Sequence, residues 1–198
     1  LVVWMSDNGP MYAAGIESSG CHWLKGGKGQ VTEGGMRTPA IAWWPGTIEA
    51  RQDPMDIISV TDFFTTAARL GGASEKIPND RVTDGVDQTS FLVLGEGHSH
   101  RDYMFYYSGS ELGAVRKRQY KHTMGKGHGG IPGGAFFDVI SNPKEDQIGE
   151  GVIPLRFMSL AVPFQDLVKE HKKMIAKFPH RVLAESDAGH TDQETLEA

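Results

Sequence analysis

The sequence predicts an α/β fold: strand, helix and strand layered up to about residue 95, followed by a small antiparallel sheet and a C-terminal helix. Three observations carry that expectation. Leu1 to Met5 is an uninterrupted apolar run ended by Ser6-Asp7-Asn8-Gly9-Pro10, the pattern of a buried parallel-type strand running into a turn. Residues 103–140 hold aromatic and β-branched runs separated by Gly-rich turns, which suits antiparallel pairing. Finally, 25 of the 198 residues are Gly, too many for a helical bundle, because each interior Gly costs a helix about 1 kcal/mol.

A buried parallel strand needs neighbours on both sides, and nothing upstream of Leu1 supplies one, so the chain is expected to start as a cut through a larger protein. Gly15 to Gly35 reads as a long functional loop rich in Gly and Lys. Pro39 to Trp44 is a second strand stopped by Pro45-Gly46. Thr61 to Leu70 has an N-cap at Thr61 or its neighbour, an apolar stripe of Phe63, Phe64, Ala67 and Leu70, and a glycine stop at Gly71-Gly72, which together predict a helix. After Gly95-Glu96-Gly97 the character changes. Tyr103–Tyr107, Leu112–Tyr120 and Ala135–Ile140 are the expected strands of the small sheet. Pro163 then opens a helix whose Phe164, Leu167, Val168, Met174, Ile175 and Phe178 trace one face, and Pro179 ends it. The divisions expected are 1–97, 98–180 and a polar tail over 181–198.

Composition narrows the function classes. A formal charge of −5 and a pI of 5.9 disfavour a nucleic-acid binder, which needs a clustered basic face. No apolar run approaches the roughly 20 residues of a membrane span. The single cysteine, Cys21, cannot form an internal disulfide and says nothing firm about compartment.

Several residues could carry chemistry. Asp7 and Asn8 fall where the strand has ended, so both can meet one ligand. A carboxylate and an amide oxygen there suit Ca²⁺ or Mg²⁺, while the plainer reading of the same residues is an Asp-Asn-Gly turn. Lys28, in Lys25-Gly26-Gly27-Lys28-Gly29, offers a point charge to an oxyanion on a backbone that permits close approach; the alternative is a solvated basic loop. His22 and Gly29 break the phosphate-loop pattern. Glu33 and Arg37 flank paired glycines and are expected to brace the loop as an ion pair, with substrate contact as the alternative. Gly125, Gly127 and Gly130 match G-x-G-x-x-G, but Pro132 follows where a helix should begin, so no dinucleotide site is expected. His98, His100 and His128 lack carboxylate partners and read as exposed loop histidines; Met104, Met158 and Met174 read as core.

The order of the pieces resembles the type I sulfatases of the alkaline-phosphatase-like superfamily. Ser6-Asp7-Asn8-Gly9-Pro10, Gly26-Gly27-Lys28-Gly29, Glu33-Gly34-Gly35-Met36-Arg37-Thr38-Pro39 and Trp44-Pro45-Gly46 carry that resemblance. Asp84-Gly85-Val86-Asp87, Ala114-Val115-Arg116, Tyr120-Lys121, Phe137-Asp138 and Asn142-Pro143-Lys144-Glu145 look like later landmarks, the last with Asn142 for the family's usual Asp. The resemblance implies that the first part of the chain is the C-terminal part of a mixed sheet with flanking helices, and it implies hydrolysis of sulfate esters of a small molecule or glycan, by a formylglycine nucleophile beside Ca²⁺ or Mg²⁺. It implies metal ligation by Asp7 and Asn8, a catalytic sulfate contact for Lys28, and a periplasmic or secreted location. Formylglycine is made from the first residue of Cys/Ser-x-Pro-x-Arg. Cys21 and Ser141 both fail that pattern, so the chain is expected to be a C-terminal fragment, inactive alone. The alternatives are a phosphoester or phosphonate hydrolase of the same superfamily and a non-catalytic binding module.

Overall fold

A computed structural model describes residues 1–11, 23–93, 97–124, 134–146 and 155–179. Strands β1 (Val2–Met5) and β2 (Ala40–Trp43) pair antiparallel, with Val2 opposite Trp43 and Met5 opposite Ala40. The expected buried parallel strand is therefore corrected. Among the described residues β1 has β2 as its one partner, and Val2, Trp4, Ile41 and Trp43 are each more than half exposed. Between the strands lies α1 (Glu33–Met36), one helical turn built on Gly34 and Gly35.

Helix α2 spans Asp62–Leu70, as its punctuation predicts, but it does not bury its apolar stripe. Phe64 and Leu70 are exposed, whereas Asp62 and Thr66 are fully enclosed. The reason is electrostatic. Asp62 accepts backbone N–H groups from Ser59 at 2.8 Å and Val86 at 2.8 Å, and the guanidinium of Arg101 donates to it from 2.9 Å. Thr66 Oγ1 accepts the N–H of Gln88 at 3.0 Å. These bonds turn the polar face inward and tie three separate segments to the helix. A single-turn 3₁₀ segment (Ser74–Lys76) and the short α3 (Thr89–Val93) follow.

The small antiparallel sheet has the order β3 (Tyr103–Ser108), β4 (Glu111–Lys117), β5 (Tyr120–Thr123) and β6 (Phe136–Asp138). The single run expected over Leu112–Tyr120 is two strands, because Arg118 adopts the left-handed region at φ 50° and closes a two-residue turn. Register gives the sheet two distinct faces. Phe105, Val115, His122 and Phe136 are successive cross-strand partners and pack against Phe157 and Phe164 of α4 (Leu155–Lys177). One residue along each strand, Met104, Arg116, Lys121 and Phe137 line up on the opposite face.

Helix α4 begins eight residues before Pro163, which lies inside it. Phe157 and Leu160 on the earlier turns belong to the same core as Phe164, Leu167 and Val168, and that burial outweighs the hydrogen bond a proline removes. The expected face is buried only in its first half, since Met174, Ile175 and Phe178 are exposed. Met104 is partly buried, as expected of a core methionine, and Met174 is not. The side chain of Met158, the loop carrying Gly125, Gly127, Gly130 and His128, and the tail over 181–198 lie outside the described residues.

Two predictions follow from this packing. Burial tends to raise the Asp62 carboxyl, but Arg101 and the backbone donors outweigh it and hold the group below its usual range. Asp62→Ala leaves Arg101 without its counter-charge and should cost about 3–5 kcal/mol in a urea unfolding titration. Burial likewise holds the His122 and His171 imidazoles below their ordinary values, so the folded state resists protonation. The unfolded chain then takes up protons first on acidification. Stability should be fully present above roughly pH 6.5 and fall below it. Because His122 stacks on Phe136 with ring centroids 4.0 Å apart, His122→Phe keeps the stack and removes the titration. Thermal melts from pH 7.5 to 5 should show a shallower loss for that variant.

Candidate functional site

The candidate site lies where β1 ends. Ser6 N–H bonds the Pro39 carbonyl at 3.1 Å, extending the ribbon by one rung before the chain turns through Asp7, Asn8 and Gly9. Asp7 is exposed, Asn8 is half-buried, and Ser6 Oγ donates to the Asn8 carbonyl at 3.0 Å. Gly9 is buried against α1, where a Cβ would overlap the carbonyl oxygen of Gly34. A Cβ on Gly34 would in turn overlap the Lys25 and Gly26 carbonyls, and one on Gly35 the Gln30 carbonyl. Three backbone segments thus meet with no side chain between them.

Lys28 is brought to this edge by its own backbone, whose N–H donates to the Pro10 carbonyl at 2.8 Å. Gly26 and Gly29, at φ 76° and 85°, supply the left-handed turns on either side. Gln30 Oε1 accepts the Gly27 N–H at 3.1 Å, and Gly34 N–H bonds the Lys25 carbonyl at 2.8 Å. Lys28 itself is exposed. The Asp7–Pro10 turn and the Lys28 backbone are therefore neighbours, with a carboxylate and an ammonium group both open to solvent.

Glu33 and Arg37 do not pair, which corrects the expected brace. Glu33 is fully buried and faces the small sheet. Arg116 Nη1 donates to it at 3.0 Å, Lys121 Nζ at 3.2 Å and Tyr106 Oη at 3.4 Å. The Glu33 backbone N–H donates to Glu145 Oε2 at 2.7 Å, and Lys121 Nζ stands 2.7 Å from Glu145 Oε1. Two carboxylates and two cations thus form one neutral buried cluster. Burial raises the Glu145 carboxyl above its ordinary range, with Lys121 opposing that effect. Arg37 turns away, its Nη2 placed 3.4 Å from Met55 Sδ and its guanidinium over the Trp23 ring at 5.1 Å. Four residues apart in sequence, Glu33 and Arg37 sit at opposite ends of a single turn, and the tertiary cations reach Glu33 first.

The cluster members Arg116, Lys121 and Glu145 stand within motifs the sequence singles out, but their meeting at Glu33 is a tertiary fact that no spacing encodes. The turn before Glu145 explains Asn142. Its Nδ2 donates to the Asp146 carbonyl at 2.8 Å while its Oδ1 accepts the Asp146 N–H at 3.2 Å, a double role an aspartate could not fill. His98 and His100 are exposed as expected, yet His98 Nδ1 does have a carboxylate beside it, Asp56 at 3.3 Å. Cys21 and His22 lie outside the described residues.

Asp7 and Asn8 fit a hard divalent cation by donor type, as an accessible carboxylate and an amide at a turn, but they fit only as a minority of its ligands. Ca²⁺ takes six to eight oxygens. Among the described residues no group of three or more His, Cys, Asp or Glu side chains could hold a metal ion. No helix among them is long and apolar enough to cross a membrane.

Residues 1–73 match the family model described as Sulfatase. N-acetylgalactosamine-6-sulfatase of Rattus norvegicus is 42% identical over 121 residues, which is 61% of this chain and 22% of that protein. The crystal structure of PsFucS1 sulfatase from Pseudoalteromonas sp. superposes with a TM-score of 0.78 at 28% identity, covering 92% of this chain and 38% of that one. Ps i-CgsB in complex with k-i-k-neocarrahexaose superposes with a TM-score of 0.64 at 25% identity, covering 86% of this chain and 35% of that one. The fold is thereby that of the alkaline-phosphatase-like α/β proteins. Within that class, the match over residues 1–73 and these relatives make the chain similar to the sulfatases, and it spans about a fifth of the length of the curated relative it matches.

The packing at Gly9 is directly testable. Gly9→Ala must push the Asp7–Asn8 turn off Gly34, and a cost of about 1–3 kcal/mol is expected from overpacking alone. Chemical denaturation of the variant beside wild type measures it. A cost below a few tenths of a kcal/mol would mean the turn is not seated on α1.

Proposed function

We propose that the protein of which these residues form part hydrolyses sulfate esters, and that this edge binds the sulfate. The observation that carries the reading is the bond from Lys28 N–H to the Pro10 carbonyl, which seats an exposed lysine beside the Asp7–Asn8 turn within the stretch 1–73 that matches the Sulfatase family model. Lys28 contacts the sulfate and neutralises charge that builds on the leaving-group side, an effect worth a few kcal/mol when a donor is held in place beforehand. Asp7 and Asn8 give two oxygens to a Ca²⁺ or Mg²⁺, which supplies Lewis-acid charge to a sulfate oxygen when bound. The formylglycine nucleophile comes from residues other than these 198, which contain no Cys/Ser-x-Pro-x-Arg. A sulfated glycan is the favoured substrate class. Support comes from the N-acetylgalactosamine-6-sulfatase relative and from the neighbour crystallised with k-i-k-neocarrahexaose.

The test is steady-state hydrolysis of an aryl sulfate, a sulfated oligosaccharide and an aryl phosphate by the full-length protein. Lys28→Ala should lower kcat on the sulfate esters by about 100-fold, and EDTA should abolish turnover until Ca²⁺ or Mg²⁺ is restored. A phosphate ester turned over faster than both sulfates would move the protein to the phosphoester hydrolases. No turnover of any ester would leave a binding module.

A further inference from the structure

We infer that Glu33 is a positioning residue for the sulfate-binding edge, acting through the backbone of its loop and held in place by the charge cluster beneath the small sheet. The inference rests on the reading above for what the edge binds. Its geometry stands apart from that reading.

The path is short and almost entirely main chain. Arg116 and Lys121, cross-strand partners on β4 and β5, hold the Glu33 carboxylate, and Glu145 holds the Glu33 N–H. Glu33 begins α1, so fixing it at both its carboxylate and its amide fixes Gly34. Gly34 N–H is bonded to Lys25, the carbonyl of Gly34 presses on Gly9, and Lys28 N–H closes the circuit on Pro10. Because glycines fill the contacts, no side chain can take up a shift by changing rotamer. A displacement at Glu33 therefore reaches both Lys28 and the Asp7–Asn8 turn.

The cluster also carries a sign that it is built for position. Glu145 adopts the left-handed region at φ 51°, a conformation that costs a non-glycine residue on the order of 1 kcal/mol. That orientation is offset by its contacts with Lys121 and the Glu33 amide. Glu33→Gln keeps the shape and removes one negative charge, leaving Arg116 and Lys121 with Glu145 alone.

The experiment uses the full-length protein with three variants: Glu33→Gln, Glu33→Asp and, as a control for lost stability, Asp62→Asn, which weakens a separate buried network. Four quantities are read: melting temperature, kcat and KM on a sulfate ester, Ca²⁺ affinity by calorimetry, and hydrogen exchange at the Lys28 and Gly34 amides. Glu33→Gln should lower kcat by about 10–100-fold with KM changed far less, and should weaken Ca²⁺ binding by about tenfold. It should speed exchange at both amides by at least about tenfold. Glu33→Asp, which keeps the charge on a shorter stem, should recover part of each loss. Asp62→Asn should lower the melting temperature while kcat, Ca²⁺ affinity and the two amides stay as in wild type.

Glu33→Gln with unchanged amide exchange overturns the inference, as does Asp62→Asn matching it in every readout. Should Glu33→Gln fail to fold, Glu145→Gln, which retains an acceptor for the Glu33 amide, carries the same readouts, and unchanged exchange there overturns it equally. Wild-type protein that neither binds Ca²⁺ nor cleaves the ester would sink the functional reading alone, because amide exchange still decides the positioning role.

Discussion

A carboxylate with no access to solvent, Glu33, is the constraint on which the rest of the arrangement depends. Removing any one of its cluster from water costs several kcal/mol, so four buried charges do not make an economical core. They make a selective one. Arg116 and Lys121 are cross-strand partners, and both face Glu33 only in the observed register of β4 and β5. A slip of one residue in either strand would swing one cation to the α4 face, among Phe157 and Phe164, and leave Glu33 half-neutralised. An apolar pair would tolerate that slip far better. The cluster thus specifies strand register, seats the 138–146 turn through Glu145, and anchors α1, all with the same atoms.

The parts of the fold legible in the sequence are those decided by local pattern. The α2 helix begins and ends where Thr61 and Gly71 say it should. The antiparallel sheet falls on the aromatic runs. What fails is whatever depends on a distant partner. Arg118 turns the chain at a position with no glycine to mark it, because Asp102 binds both Lys117 and Arg118 and holds the hairpin end. Pro163 looks like a helix start, yet α4 runs through it, since the preceding turns carry Phe157 into the core. The α2 stripe looks buried by its spacing, but Asp62 rotates the helix toward Arg101. At the candidate site, the sequence offers Asp7, Asn8 and Lys28 as candidates by residue type and by their place after a strand or in a Gly-rich loop. It does not offer the pairing of Glu33, because an acid and a base four residues apart imitate a local brace.

The exposed apolar faces belong with this pattern. Val2, Trp4, Ile41 and Trp43 form a continuous cross-strand face on the β1–β2 ribbon, and Met174, Ile175 and Phe178 continue the buried stripe of α4 into solvent. Both are apolar beyond what isolated surface residues explain, and contiguous apolar surface of this kind marks a place of contact. They occur in a chain that spans about a fifth of its curated relative and 38% of the PsFucS1 sulfatase structure. The small sheet, by contrast, is filled on both faces, by α4 on one side and by the Glu33 cluster with Val31 and Met36 on the other.

Two sets of charges near this edge are treated in opposite ways, and the difference has a physical purpose under the proposed function. Glu33, Glu145, Arg116 and Lys121 neutralise one another where water cannot reach, so their positions are rigid and their charges are spent on each other. Asp7 and Lys28 are exposed, and among the described residues neither has an ion-pair partner. A charge meant to meet a sulfate or a cation gains nothing from a permanent internal partner, which the ligand would have to displace. It gains from being held where the ligand's charge will be, because a group already in place needs no reorganisation as charge develops. Side chains cannot supply that rigidity without occupying the space the ligand needs. A backbone packed glycine against glycine can, and the buried cluster supplies the fixed point from which that backbone is measured.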